Sequence, residues 1–371
     1  MYEKPETMPD IWVLTSRIRR EPKGTQVTAR RSDVRKTRNF LPQILIALAA
    51  SLLPASAQSN WKVLNTFHVG GDGGWDYVTM DAPNHRLFVT RSTHTMAIDE
   101  ETGKVLGDIP GQIRSHGVAL VPALGRGFIT DGGGAGAIVV FDLKTYAVLG
   151  KIPAVPDADG IIYDGKLNRV LAVSGDGNEL LTFSPDIDPK TGKLDPPIPL
   201  GGAPEFLASD GSGRAYINLE DKDAVAVVDL NSRKVVDRWA VAPGGHPVGM
   251  AMDRKTHRLF IGCRNPQMLV VMNAETGAIE SSLPIGAGVD ATRFEEGQAF
   301  ASTGDGALAV ASEKGGKWAV EQTVKTPVGA RTMGLDSTTH RIFLPTAELE
   351  PQATGRPRPK PGTFMIVEVG Q

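Results

Sequence analysis

The sequence predicts an all-β fold: a seven-bladed β-propeller of four-stranded antiparallel blades, its ring closed by an N-terminal strand on the last blade. Three observations predict it. A basic-apolar-aromatic triplet recurs seven times at intervals of 40 to 45 residues. Each copy follows an acidic turn and precedes a β-branched run that ends in an acid or amide. A lone strand-like stretch stands ahead of the first copy, and the unit after the last copy is one strand short.

In chain order, residues 1 to about 33 are polar and lack apolar periodicity. Val34 to Ala57 then has a basic start (Arg35, Lys36, Arg38), an apolar stretch from Phe40 to Leu53 and the small residues Ala55, Ser56 and Ala57, the pattern of a secretory signal. Cleavage is expected near Ala57, which makes 1–57 an N-terminal extension with signal peptide and 58–371 the propeller. The apolar stretch of 14 residues is too short to span a bilayer comfortably. The mature chain is therefore expected in the periplasm or outside the cell, without stable membrane insertion.

Trp61 to Val69 reads as the lone strand, completing the last unit, whose final strand is Thr363 to Val369. Between them lie the triplets Arg86-Leu87-Phe88, Arg126-Gly127-Phe128, Arg214-Ala215-Tyr216, Arg258-Leu259-Phe260 and Arg341-Ile342-Phe343, with weaker copies at Arg169-Val170-Leu171 and Gln298-Ala299-Phe300. Runs such as Val139 to Asp142 and Val227 to Asp229 follow, then turns such as Glu101-Thr102-Gly103-Lys104. Short β-branched runs between Asp, Asn and Gly turns read as four strands per unit. Radial repetition of such units is a propeller.

Asp253 to Phe260 and Asp99 to Val105 carry a further pattern: Asp, four residues, Arg-apolar-aromatic, and Asp followed by Thr-Gly-Lys-Val. In this the chain resembles the YVTN-repeat (YncE-like) β-propellers over about residues 61 to 370. The resemblance implies the fold and little about activity, because such folds host many functions. The third and sixth units depart from it, with Glu313 to Lys317 replacing the Thr-Gly-Lys turn.

Composition limits the partners. Residues 1–57 hold ten of the 40 basic residues and five of the 42 acidic ones, so the remainder is acidic. That excludes the clustered Lys and Arg on which nucleic-acid binding depends. Cys263 is the single cysteine, so no intramolecular disulfide forms and a large core must hold the fold. The expected partner is a small molecule or a protein, and the expected state a monomer.

One propeller face repeats its turns; the other carries loops that differ from unit to unit, where function on repeat scaffolds usually sits. Aligning the units puts Asp76, His116, Asp159, Glu205, Val248, Asp290 and Arg331 at the mouths of the innermost strands. Two unit charges ~4 Å apart interact by about 1 kcal/mol in water and ~4 at a semi-buried site, so converging carboxylates need a cation, a shared proton or an arginine. Three readings follow: a water-filled polar funnel, a divalent metal site drawn from Asp76, His116, Asp159, Glu205 and Asp290, or acid–base work with His116 as base or acid, Glu205 tuning it and Arg331 fixing an anionic group. The first two belong to a binding protein, the third to a lactonase- or cyclase-like hydrolase or lyase. No nucleophile motif or cofactor fingerprint decides between them.

His94, Glu220, Asp305 and Glu348 lie in the divergent loops and join the ligand-binding candidates. His85, His257 and His340 precede a triplet residue on the repetitive face and are read as structural. Strand alternation turns Trp75 and Tyr77 away from the axis into the core. Cys263 is read as a buried thiol. The proline-rich loop Glu350 to Pro361 is expected to be stiff and extended, either a lid or a loop without a role. Asp186 to Gly192 lacks the ligands of a calcium loop, and the Gly70 to Gly74 run precedes no helix that could cradle phosphate.

Overall fold

Strands form where β-branched and aromatic residues alternate, and turns form where an Asp or Asn can bond its own backbone. The computed structural model describes residues 60–352 and 357–371, all within the compact unit Ala57–Gln371. The extension and signal read in 1–57 lie outside the described residues. Strands are arranged as five four-stranded antiparallel sheets, one seven-stranded sheet and a two-stranded ribbon. Among the described residues no α-helix occurs, and no helix is long and apolar enough to cross a membrane.

The sheet Pro204–Ser209, Arg214–Leu219, Ala224–Asp229, Lys234–Ala240 is typical, with strands paired in chain order. Its two middle strands are almost wholly buried and its last is mostly exposed. The seven-stranded sheet is two such units joined through one long strand, Val105–Val121. Its first half pairs with Ser92–Asp99 and its second with Arg126–Asp131, and Gly111, at φ 88°, lies between the halves. In the last sheet Lys62–His68 pairs antiparallel with Met365–Gly370, from Lys62 opposite Gly370 to His68 opposite Met365. No sheet closes on itself among the described residues, so neighbouring sheets meet through side chains.

The repeated residues explain those meetings. Arg86 bonds Asp81 in its own turn (2.7 Å) and reaches the Leu143 carbonyl (2.7 Å) and Tyr146 hydroxyl (3.0 Å) of the next unit. Arg126 reaches the Ile187 carbonyl, and Arg258 pairs with Glu280 and with Glu313 of the next sheet. In the turns, Asp99 accepts the backbone N–H groups of Glu101 and Thr102 and the Thr102 hydroxyl, and Asp142 does the same for Lys144 and Thr145. His85, His257 and His340 take left-handed φ values of 51 to 56° just before their triplets and pair with Glu100, Glu275 and Glu295.

Apolar clusters fill each junction. Phe260, Leu269, Ala299 and Trp318 join two consecutive sheets, and Tyr216, Val225, Leu259 and Val270 another two. Phe67, Val78, Val89, Phe343 and Ile366 join the first strands of the unit to the last. Burying one such side chain is worth about 1.5–3 kcal/mol, so these junctions are the main source of stability.

Candidate functional site

Five of the inner strands open with an irregularity in their pairing, and that irregularity helps build the site. Ser115 pairs with Asp131 and Val118 with Ile129, leaving His116 and Gly117 against one partner residue; Glu205 with Phe206, Val248 with Gly249, and Asp159 with Gly160 are placed alike. A bulge breaks the period-two alternation, so two successive residues leave the pleat together. The second position is mostly small. A Cβ on Gly117 would lie 2.8 Å from Ile161, one on Gly160 2.8 Å from the Glu205 carbonyl, and one on Gly249 2.7 Å from the Thr292 nitrogen. The exceptions are Tyr77 and Phe206, whose rings meet at 5.0 Å. The expectation that Tyr77 points away from the axis is thus wrong: it lines the cavity, and burial followed by the charges of Asp159, Asp76 and Glu205 raises its pKa. Trp75 packs on Phe364 as a core residue would, yet its edge lines the cavity too.

The cavity measures about 420 Å³ and gathers Asp76, His116, Asp159, Glu205, Asp290 and Arg331. Val248, the seventh mouth residue, is fully buried. The loop Gly70 to Gly74 delivers Asp76, and buried Arg91 holds that loop by donating to the carbonyls of Asp72 (2.8 Å) and Gly74 (2.9 Å) while stacking on Phe364. The glycine run cradles a guanidinium, as its carbonyls point inward.

Two charge clusters face each other. In the first, His116 Nδ1 lies 2.6 Å from Asp76 Oδ2 and 3.5 Å from Asp159 Oδ1. Burial pulls the imidazole down, but the Asp76 hydrogen bond and both carboxylate charges outweigh it and raise its pKa to about 9. Burial raises Asp159 to about 8, against the opposing pull of His116. His116 Nε2 and Asp159 Oδ1 are buried without a hydrogen-bond partner. In the second cluster Asp290 pairs with both Arg264 and Arg331, and Arg264 also holds Glu220 at 3.2 Å. Burial, then a hydrogen bond to Glu220, raises Glu205 to about 10, so this pair shares one proton.

Three sequence candidates stand apart. His94 lies 3.7 Å from Asp108, outside the cavity. Asp305 ties its loop to the preceding one by accepting the Ala287 N–H and also accepts the Thr303 hydroxyl, and Glu348 pairs with Lys360. Short loops give such acids local donors before they can reach the axis. Arg264 is the residue that sequence reading missed, and it makes the mouth a mixed-charge site. It follows a second strand's core residues exactly as Glu220 does, six residues after the triplet arginine; applying the one-residue-per-unit count to the second strands finds both. Cys263 is buried, with burial pushing its thiol up to about 12. The ends of the proline-rich loop pair as a ribbon, Leu349 opposite Pro359 and Glu350 opposite Arg358. That ribbon walls a second cavity of about 310 Å³ beside Trp75 and Arg331; 353–356 lie outside the described residues.

Asp159, Glu205 and His116 all bind protons more tightly in the folded chain than in the unfolded one. The carboxyls begin to cost stability above pH ~4.5, where unfolded ones ionise, and His116 stops contributing as pH rises from 6.5 through about 9. The melting temperature should therefore fall between pH 6.5 and 9.5. Glu205→Gln, which fixes the neutral form, should melt like the parent near pH ~4, above it at pH 6.5, and decline less steeply as pH rises; an unchanged alkaline slope would contradict the assignment.

The sequence matches no protein-family model and no curated protein. Among solved structures, the chain is similar to Kuenenia stuttgartiensis hydrazine synthase, with a TM-score of 0.62 at 12% identity over 73% of this chain and 92% of that one. At that identity the likeness carries the fold alone, and it agrees with a β-propeller-like arrangement of the four-stranded sheets.

Proposed function

We propose that this chain is a secreted propeller of the YVTN-repeat type, with seven blades closed into a ring, and that its mouth cavity binds a small ligand, of which a divalent cation fits best. Counting the seven-stranded sheet as two blades makes seven units, and apolar clusters link them in order back to the first. The spaced triplets support the family, and the basic-apolar-small pattern of residues 34–57 supports secretion.

One observation carries the cation. Asp76, His116 and Asp159 each offer a ligand atom within 4.8 Å of the others, and His116 Nε2 and Asp159 Oδ1 are buried without a hydrogen bond. Two carboxylates and an imidazole suit manganese or zinc. The ion would displace the proton that His116 shares with Asp76 and, below pH 8, the one on Asp159 as well, so affinity should rise about tenfold between pH 8 and 9 and more steeply with pH below 8. Melts of the mature protein after EDTA treatment, with Mn²⁺ or Zn²⁺ titrated back, should show a saturable rise that Asp159→Asn removes. No shift with either ion at millimolar concentration would sink the reading.

The hydrolase or lyase alternative has one observation in its favour: Glu205 holds a proton inside the cavity. His116 is cationic at neutral pH and would serve there as acid, while Arg331 would have to leave Asp290 to fix a substrate anion.

A further inference from the structure

A third cavity, of about 530 Å³, lies further along the same inner strands, past the Tyr77–Phe206 pair. Its walls are side chains such as Val78, Met80, Ile162, Met252 and Leu335, and no Asp or Glu lines it. Three residues beyond the mouth positions, four strands carry Ala119, Ala208, Ala251 and Gly334, which leaves room at the axis. At the same level another strand carries Arg293.

That guanidinium is poorly provided for. Nη1 donates to the Thr292 carbonyl at 2.8 Å, and the carbon lies 5.7 Å from the Phe206 ring centre. Among the described residues no carboxylate pairs with it, and its one protein hydrogen bond is that of Nη1, the other donors being open to the cavity. The other arginine of the cavity, Arg254, is occupied by the Ser209 carbonyl and Asp164. A half-buried cation without a counter-ion is costly, and a cavity of this volume, lined by polar and apolar atoms alike, is ligand-sized.

We infer that this cavity binds a small monocarboxylate with an apolar body, its carboxylate bidentate on Arg293 and its hydrocarbon against the aliphatic walls. The fork of the guanidinium matches a carboxylate, and the absence of lining acids leaves the anion unopposed. A phosphate would meet the charge and forfeit the apolar contact; a neutral alcohol would do the reverse.

Octanoate tests this by calorimetry on the mature protein, with octanol and inorganic phosphate as the two half-ligands. Octanoate should bind at one site per chain, at least about tenfold tighter than either half-ligand. Arg293→Met, of similar volume, should weaken octanoate at least about tenfold and leave octanol unchanged. Ala251→Leu fills the cavity and should weaken octanoate with Arg293 intact, which keeps the test decisive if the arginine variant misfolds. Asp159→Asn, at the mouth, should leave octanoate binding as it was, so this site and the mouth site stand or fall separately. No octanoate binding at millimolar concentration, equal binding by Arg293→Met, or loss on Asp159→Asn would each overturn the inference.

Discussion

A chain beginning at Gly71 should lose the cooperative melt of one beginning at Asn60. Removing 60–70 strips the last sheet of Lys62–His68, which pairs along the whole of Met365–Gly370. It also takes Trp61, which sits edge-on to Phe300 at 4.9 Å, donates its indole N–H to the Gln298 side chain, and donates its backbone N–H to, and accepts at its carbonyl from, the Gln322 side-chain amide. Phe67 leaves the cluster around Val78, Phe343 and Ile366. Truncating one buried Phe or Trp costs about 3–5 kcal/mol, so both together approach the roughly 5–15 kcal/mol total of a typical domain. The exposed edge of Met365–Gly370 would in addition be an aggregation site. Trp61→Ala and Phe67→Ala should each lower the melting temperature, and the truncation should melt without a transition or precipitate. A truncated chain melting cooperatively at the parent temperature would show that the N-terminal strand is dispensable.

The same residues show what a sequence can reveal. Repeated features serve repeated contacts: the triplet arginine bonds its own turn and the next unit, and the turn Asp collects its own amides, so both recur at fixed spacing. The mouth residues are visible by alignment because charges replace apolar residues at a strand start. Tyr77 is not, since it stands just ahead of the four-residue strand Val78–Asp81, where there is too little alternation to place it. Arg264 hides because its charge sits at the end of an otherwise apolar strand, where a loop residue is the default reading. His94, Asp305 and Glu348 share residue type with the site residues, and only the placement of Asp108, Ala287 and Lys360 separates them.

Asp290→Ala should be the most damaging single change at the mouth. Its carboxylate, nine-tenths buried, is among the described residues the sole ion-pair partner of Arg331 and one of two for Arg264. Removing a buried partner costs about 3–5 kcal/mol because the surviving charge stays desolvated. The two guanidinium groups keep 25% and 33% exposure, which lowers the expectation to about 3 kcal/mol, or roughly 5 °C in melting temperature for a unit of this size. Asp290→Asn retains an acceptor and should lose less. The double variant Asp290→Ala with Arg331→Met removes the stranded charge together with its partner and should recover part of the loss, a coupling that a double-mutant cycle measures. Ligand binding separates this from a packing effect. An unpaired Arg331 adds positive charge to the cavity that holds Asp76, His116 and Asp159, so Mn²⁺ should bind the Asp290→Ala protein more weakly below its melting temperature, and the double variant should regain affinity. Equal Mn²⁺ affinity in all three proteins would mean that the two clusters do not share a field, and that Asp290 acts on stability alone.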